Sequence, residues 1–205
     1  MTVDLGIPGV SVDPGSHICA FYAGDSERDE VLVPFLQEAL RAGDWCVCLV
    51  DRVEASTILQ TLDLKPSTKS DLQSDWLELL TSAESYLVGG EFDTDRMLAF
   101  WERIYEETKA RGWSFVRIIS EMSWIVRDVP GVHEFVTYES KYNKISRQQP
   151  HVTICMYDLN VFGAKLLITI LKTHPQVLVG NVVHENPYYM EPEEFLARRD
   201  HDLRG

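Results

Sequence analysis

The chain lacks the residues that grip a triphosphate. Phosphate binding at a strand-to-helix turn needs glycines that let backbone N–H groups approach the anion, and a Lys followed by Ser or Thr for the terminal phosphates and Mg²⁺. The turn where an α/β protein would carry that loop reads Tyr22-Ala-Gly-Asp-Ser-Glu-Arg-Asp, with one glycine, no lysine and three carboxylates. Those carboxylates repel a triphosphate, so the layout favours a sensor or scaffold over an ATPase. Positive charge is also scarce. Lys and Arg number 19 against 32 Asp and Glu, a net charge of −13, which argues against direct contact with nucleic acid or an anionic membrane. No amino-terminal basic and apolar signal is present, and no apolar run is long enough to span a bilayer. A cytoplasmic location is therefore expected. GxSxG, HExxH and an informatively spaced Cys–His pair are missing too. No catalytic residue is assigned, and the chain is expected not to be an enzyme.

Cysteine is sparse, with Cys19, Cys46, Cys48 and Cys155 all inside predicted strands. In a cytoplasmic chain of this size disulfides are not expected, and free Cys is among the most often buried residues. Cys46 and Cys48 share one face of their strand, and His17 and Cys19 share one face of theirs. A four-ligand metal site can be drawn from them, but strand spacing of two separates the ligands and no CxxC or HxxxH supports it. Buried packing is the default, and neither metal nor cofactor is assigned.

What is present is an α/β alternation. His17–Tyr22 and Trp45–Val50 read as buried strands on either side of a helix that Asp25 or Ser26 can cap. Glu27, Asp29 and Glu30 suit its N-terminus. Val31, Leu32, Phe35, Leu36, Ala39 and Leu40 form its apolar stripe, Pro34 is expected to kink it, and Gly43 ends it. Before this unit, residues 1–15 read as an irregular lead-in. After it come a helical pattern (Val53, Ile58, Leu59, Leu62), a polar loop from Leu64, and a short strand over Trp76–Leu80. The clearest helix follows Asp93 or Thr94, with Met97, Leu98, Trp101, Ile104, Tyr105 and Thr108 at helical spacing up to Gly112. Strands are predicted at Phe115–Ser120 and Val152–Tyr157, and short extended pieces at Val177–Val179 and Asn181–His184. Helices are predicted at Gly131–Ser146, at Val161–Lys172 and from Pro192, with a polar tail over 197–205. With 205 residues, a single domain spanning 16–196 is the simplest count.

Strands alternating with helices imply a largely parallel, doubly wound sheet, whose ligands sit beyond the carboxyl ends of the strands. Tyr22, Asp25, Asp51, Glu121, Tyr157 and Asp158 fall at that edge. Each has a structural reading as well. Glu121 could pair with Arg117, Arg127 or another basic residue, Asp51 and Asp158 could cap helices, and Phe21, Tyr22 and Trp124 could be core. His17 could bond a carbonyl at a strand edge, and His174 before Pro175 could meet a helix C-terminus as a cation.

The segments HICAFY, LVPFLQEALRAGDWCVCLV, EFDTDRMLAFW, RIISEMSW, ICMYD and THPQVLVGNVVHENPYY, in this order, resemble the MEDS domain of methanogen and methylotroph sensory proteins. The likeness runs from about Gly15 to Phe195. It implies a three-layer sandwich similar to RecA and KaiC domains that have lost the phosphate loop. It also implies a sensory or regulatory role. The motif positions carried over are His17, Phe21, Tyr22, Glu121, Trp124, Asp158, His174, Asn186 and Tyr188, and Tyr157 joins them from the strand-edge argument. The expected ligand is a small organic molecule of hydrocarbon-derivative type. Since no output domain is recognised here, a histidine-kinase-like or anti-sigma partner is expected to read the domain, and a homodimer is expected only on general frequency. A residual nucleotide-binding domain and a ligand-independent scaffold are the alternatives.

Overall fold

In the computed structural model, the described residues are 2–51, 53, 55–62 and 76–202; the polar loop from Leu64 and residues 203–205 lie outside them. The chain opens with an antiparallel hairpin of β1 (Val3–Asp4) and β2 (Ser11–Val12). The elements then run β3 (Ser16–Tyr22), α1 (Asp25–Ala42), β4 (Trp45–Leu49), α2 (Ala55–Thr61) and β5 (Leu77–Leu80). Next come α3 (Thr94–Ala110), β6 (Val116–Glu121), α4 (Phe135–Ser146), β7 (His151–Asp158) and α5 (Ala164–Thr173). β8 (Gln176–Val179), β9 (Val182–Glu185) and α6 (Pro192–Asp202) complete the chain.

Among the described residues seven strands form one sheet in the order β5-β4-β6-β7-β3-β8-β9. Every pairing from β5 to β8 is parallel, and β9 turns back antiparallel on β8. The sheet is covered on both sides, so β4, β6 and β7 are buried along their whole length. Side chains alternate between two cores. One core joins Ile18, Ala20, Cys46, Cys48, Ile119, Ile154 and Met156 to Val31, Phe35 and Leu36 of α1 and Ile58 of α2. The other joins Cys19, Val47, Ile118, Cys155 and Tyr157 to Met97 and Trp101 of α3, Phe135, Tyr138 and Tyr142 of α4, and Ile170 of α5.

Several expectations are corrected. Residues 2–15 are no irregular lead-in: Leu5, Ile7, Val10 and Val12 enter the α1-side core. Gly6, at φ 77°, lets that hairpin meet α1, since a Cβ there would lie 2.1 Å from the Pro34 carbonyl oxygen. Gly24, at φ 81°, stands at the α1 N-terminus with no side-chain cap, and Asp25 is already helical. The last helix runs through what reads as a polar tail, to Asp202. Cys46 and Cys48 face α1 whereas Cys19 faces the α3–α5 layer, and His17, two residues from Cys19, shares its face. The metal set drawn from those four residues is therefore divided by the sheet, and all four cysteines are free and buried.

Candidate functional site

The turn that follows β3 is closed by its own carboxylate. The Ala23 N–H donates to Glu27 Oε2 at 2.8 Å, and Arg28 is drawn in between Asp25 (2.7 Å) and Asp29 (2.8 Å). An N–H that an anion would use is thus already taken. Beyond it, on the α1 side of the sheet, the carboxyl ends of β3, β7 and β6 bring up Tyr22, Asp158 and Glu121. Tyr22 and Asp158 are register partners, and the three are 2%, 4% and 2% exposed. Asp158 Oδ1 accepts from Asn160 N–H at 2.9 Å, while α5 starts only at Ala164 after Gly163. Asp158 therefore forms a local turn and does not cap that helix. Among the described residues Asp51 accepts from Ser82 N–H (2.7 Å), Ser82 Oγ (2.6 Å) and Arg127 Nη2 (2.5 Å). Its own N–H donates to Glu121 Oε2 at 3.3 Å. The two arginines considered for Glu121 are held elsewhere, Arg127 by Asp51 and Arg117 by Asp44.

On the opposite face the same edge carries a cleft of about 640 Å³. Ile125, Val132, Phe135, Val136 and Leu166 supply its apolar wall, and His133, Lys165 and Thr169 its polar groups. The first wall is made by the turn after β6 and the start of α4, the second by the first turns of α5. Gly131 sets the turn that feeds α4. It sits at φ 80°, and a Cβ there would fall 1.9 Å from the Phe92 carbonyl oxygen. Trp124 backs the cleft, stacked on Tyr86 (4.7 Å) and Phe92 (5.2 Å) and edge-on to Phe135 (5.5 Å).

A third group lies deeper on this face. His17 of β3 and His174, just after α5, have ring centroids 4.2 Å apart, and Tyr157 packs edge-on against His174 at 5.7 Å and tilted against Phe21 at 6.1 Å. His17 Nδ1 meets Asn143 Oδ1 at 3.0 Å, and His174 Nδ1 meets the Ile170 carbonyl at 2.9 Å. Burial pushes the His174 imidazole well below its ordinary range, so it meets the end of α5 as a neutral donor and not as the expected cation. Asn186 Nδ2 donates to the Leu171 and His174 carbonyls at 2.6 and 2.7 Å and pins the hairpin to α5. Tyr188 is 68% exposed, with its backbone N–H on Asn186 Oδ1.

The residues proposed from sequence thus divide into a sheet-edge group (Tyr22, Glu121, Asp158), a backing group beside the cleft (Trp124), a deep histidine group (His17, Phe21, Tyr157, His174) and a pair following the β8–β9 hairpin (Asn186, Tyr188). Two participants in the deep group were missed, Glu139 and Asn143 of α4. The apolar spacing over 131–146 places Val132, Phe135, Val136, Tyr142 and Ile145 on one side, and all five meet the core, Phe135 and Tyr142 fully buried and the others partly so. The helix also buries Tyr138, Glu139, Ser140, Asn143 and Ser146. A row of polar residues at i, i+4 and i+7 beside two tyrosines is the signal that could have revealed them.

The architecture places the chain among RecA-like α/β domains. It superimposes on a KaiC-like protein from Pyrococcus horikoshii OT3 with a TM-score of 0.60 at 15% identity, covering 86% of this chain and 80% of that one. The flagellar accessory protein FlaH from Methanocaldococcus jannaschii follows at 0.54 and 12%, covering 89% and 83%. Within that fold class the chain belongs to the MEDS family, the methanogen/methylotroph DcmR sensory domain, whose profile matches residues 16–175. A transcriptional repressor, DcmR of Methylorubrum extorquens, is 25% identical over 169 residues, 82% of this chain. The chain spans 61% of that repressor's length. A regulatory, sensory role follows from the family. No helix among the described residues is long and apolar enough to cross a membrane.

Proposed function

We propose that this domain senses a small, mostly apolar organic molecule bound in the cleft between α4 and α5, and passes occupancy to a regulatory partner. The cleft carries this reading. Its volume of about 640 Å³ falls in the range of small-molecule sites, roughly 300–1,000 Å³, which are apolar with a few polar groups to fix orientation. His133, Lys165 and Thr169 are placed to give that orientation. The same edge on the α1 side is acidic and internally bonded, which disfavours a nucleotide there. The domain works as a binding module and not as an enzyme. A histidine-kinase-like or anti-sigma protein, or a second copy of the chain, reads it. Val126 and Ile168, next in sequence to the lining residues Ile125 and Thr169, are 50% and 57% exposed and offer apolar contact to that partner.

The test is a thermal-shift and native mass-spectrometry screen with small neutral organic compounds, run beside Leu166→Trp, whose indole fills the cleft. Binding is expected in the parent and lost in the variant, with ATP·Mg²⁺ silent in both. A ligand whose affinity ignores Leu166→Trp, or micromolar ATP binding, would overturn the assignment.

A further inference from the structure

The deep histidine group contains an arrangement that ligand sensing in the cleft does not use. His17 comes from β3, Cys155 from β7, Glu139 from α4 and His174 from the α5–β8 junction. All four are at most 3% exposed, and one ligand-type atom from each lies within 4.8 Å of the others. His17 Nε2 is 3.3 Å from Glu139 Oε2 and 3.4 Å from Cys155 Sγ, and His174 Nε2 is 3.4 Å from the same Oε2.

The surrounding hydrogen bonds fix which way the rings face. Asn143 Nδ2 donates to the Glu139 and Thr173 carbonyls, so its Oδ1 can only accept, and His17 Nδ1 is the donor. His174 Nδ1 donates to the Ile170 carbonyl. With Nδ1 of each ring turned to these acceptors, both Nε2 atoms face one carboxylate. Among the described residues neither Glu139 oxygen nor His174 Nε2 meets a hydrogen-bond donor. Acceptors held this close, away from water, need a proton or a metal cation between them.

A tetrahedral centre with metal–N and metal–O bonds of about 2.0–2.1 Å and metal–S of about 2.3 Å separates its ligands by roughly 3.3–3.6 Å; the three contacts above fall at 3.3–3.4 Å, and the whole set lies within 4.8 Å. Two imidazoles, one thiolate and one carboxylate carry two negative charges, which a dication cancels, so the loaded site is neutral and suits complete burial. Nitrogen and sulfur donors exclude Ca²⁺ and Mg²⁺. Asn143 and the Ile170 carbonyl hold the far side of each ring, as partners behind histidine ligands do. We propose that His17 Nε2, Glu139, Cys155 Sγ and His174 Nε2 bind a resident zinc-class dication. Four protein ligands leave no open position, so the ion clamps β3, β7, α4 and α5 together behind the cleft. On binding, the Cys155 S–H bond breaks, the proton leaves to solvent and a sulfur–metal bond forms.

The full chain, purified without chelator or affinity metal, is assayed for metal content and then exchanged with Co²⁺. The expected result is one zinc-class ion per chain. The cobalt form should show tetrahedral d–d bands and a thiolate-to-cobalt charge-transfer band. Cys155→Ser keeps the side-chain shape and should retain the far-UV spectrum while losing the charge-transfer band. Glu139→Gln, also nearly isosteric, should weaken binding at least about tenfold. A folded, metal-free protein that takes up Co²⁺ without that band, or a band that survives in Cys155→Ser, would overturn the site. The cleft screen reads a different quantity, so the two proposals can fail separately.

Discussion

Arg117→Met removes one charge at the amino edge of the sheet and keeps most of the side-chain stem. Arg117 is buried in β6 with Nε on Asp44 Oδ2 at 2.7 Å and Nη1 on the Asp4 carbonyl at 2.7 Å, and its guanidinium lies 5.7 Å from the centre of the Phe35 ring. One residue thereby joins the amino-terminal hairpin, the α1–β4 turn and the middle of the sheet. Losing it strands the Asp44 carboxylate, 12% exposed on its side chain, without its cation. Breaking a buried pair in this way costs about 3–5 kcal/mol, a large part of the roughly 5–15 kcal/mol that holds a domain folded. For a chain of this size, about 2–4 °C per kcal/mol converts the loss to a fall in Tm of roughly 6–20 °C. Urea unfolding followed by circular dichroism and tryptophan fluorescence measures it. Because the penalty is the stranded charge, adding Asp44→Leu to Arg117→Met should recover most of the loss. A single variant within about 1 kcal/mol of the parent, or a double variant no better than the single, would refute the reasoning.

His151, packed against Tyr105 and Tyr142, has its imidazole pulled by burial from 6.5 down to about 4. The unfolded chain therefore binds the proton more readily than the folded one between those values. Stability falls as pH drops through that window, by about 2 kcal/mol at pH 5 from this group. Urea midpoints at pH 7 and pH 5 should show the loss, and His151→Phe should make the dependence shallower; an unchanged slope would assign it elsewhere. Gly131→Ala forces a Cβ onto the Phe92 carbonyl at positive φ and should cost about 1–3 kcal/mol or more. Denaturation gives the stability, and the same variant should weaken cleft binding because Gly131 sets the position of Val132.

The layering was legible because it rests on short-range pattern. Strands around His17–Tyr22, Trp45–Val50 and Val152–Tyr157 were found within a residue or two, since β-branched and apolar runs between turn signals have few other readings. The amino-terminal hairpin was missed because two-residue strands leave no period to detect, and only the tertiary contact of Leu5 and Ile7 with α1 gives them a role. The site was harder. His17 and His174 stood out through the family resemblance, but their partner Glu139 sits on an amphipathic helix where a glutamate normally faces water. No periodicity shows that such a residue is buried, because the reason lies in what β3 and α5 bring to it. The cleft was invisible for the same reason. Ile125, Val136 and Leu166 are ordinary apolar residues until two helices are placed side by side.

The position of β3 has a bearing on how the protein is made. This early strand lies between β7 and β8, so its neighbours emerge from the ribosome only after most of the chain has been synthesised. Until then His17–Tyr22 is an apolar segment with bare edges, exposed to misassociation in the nascent state. Ribosome-bound chains stopped before Val179 should therefore remain protease-sensitive around β3, and resistance should arise abruptly once the hairpin has cleared the exit tunnel.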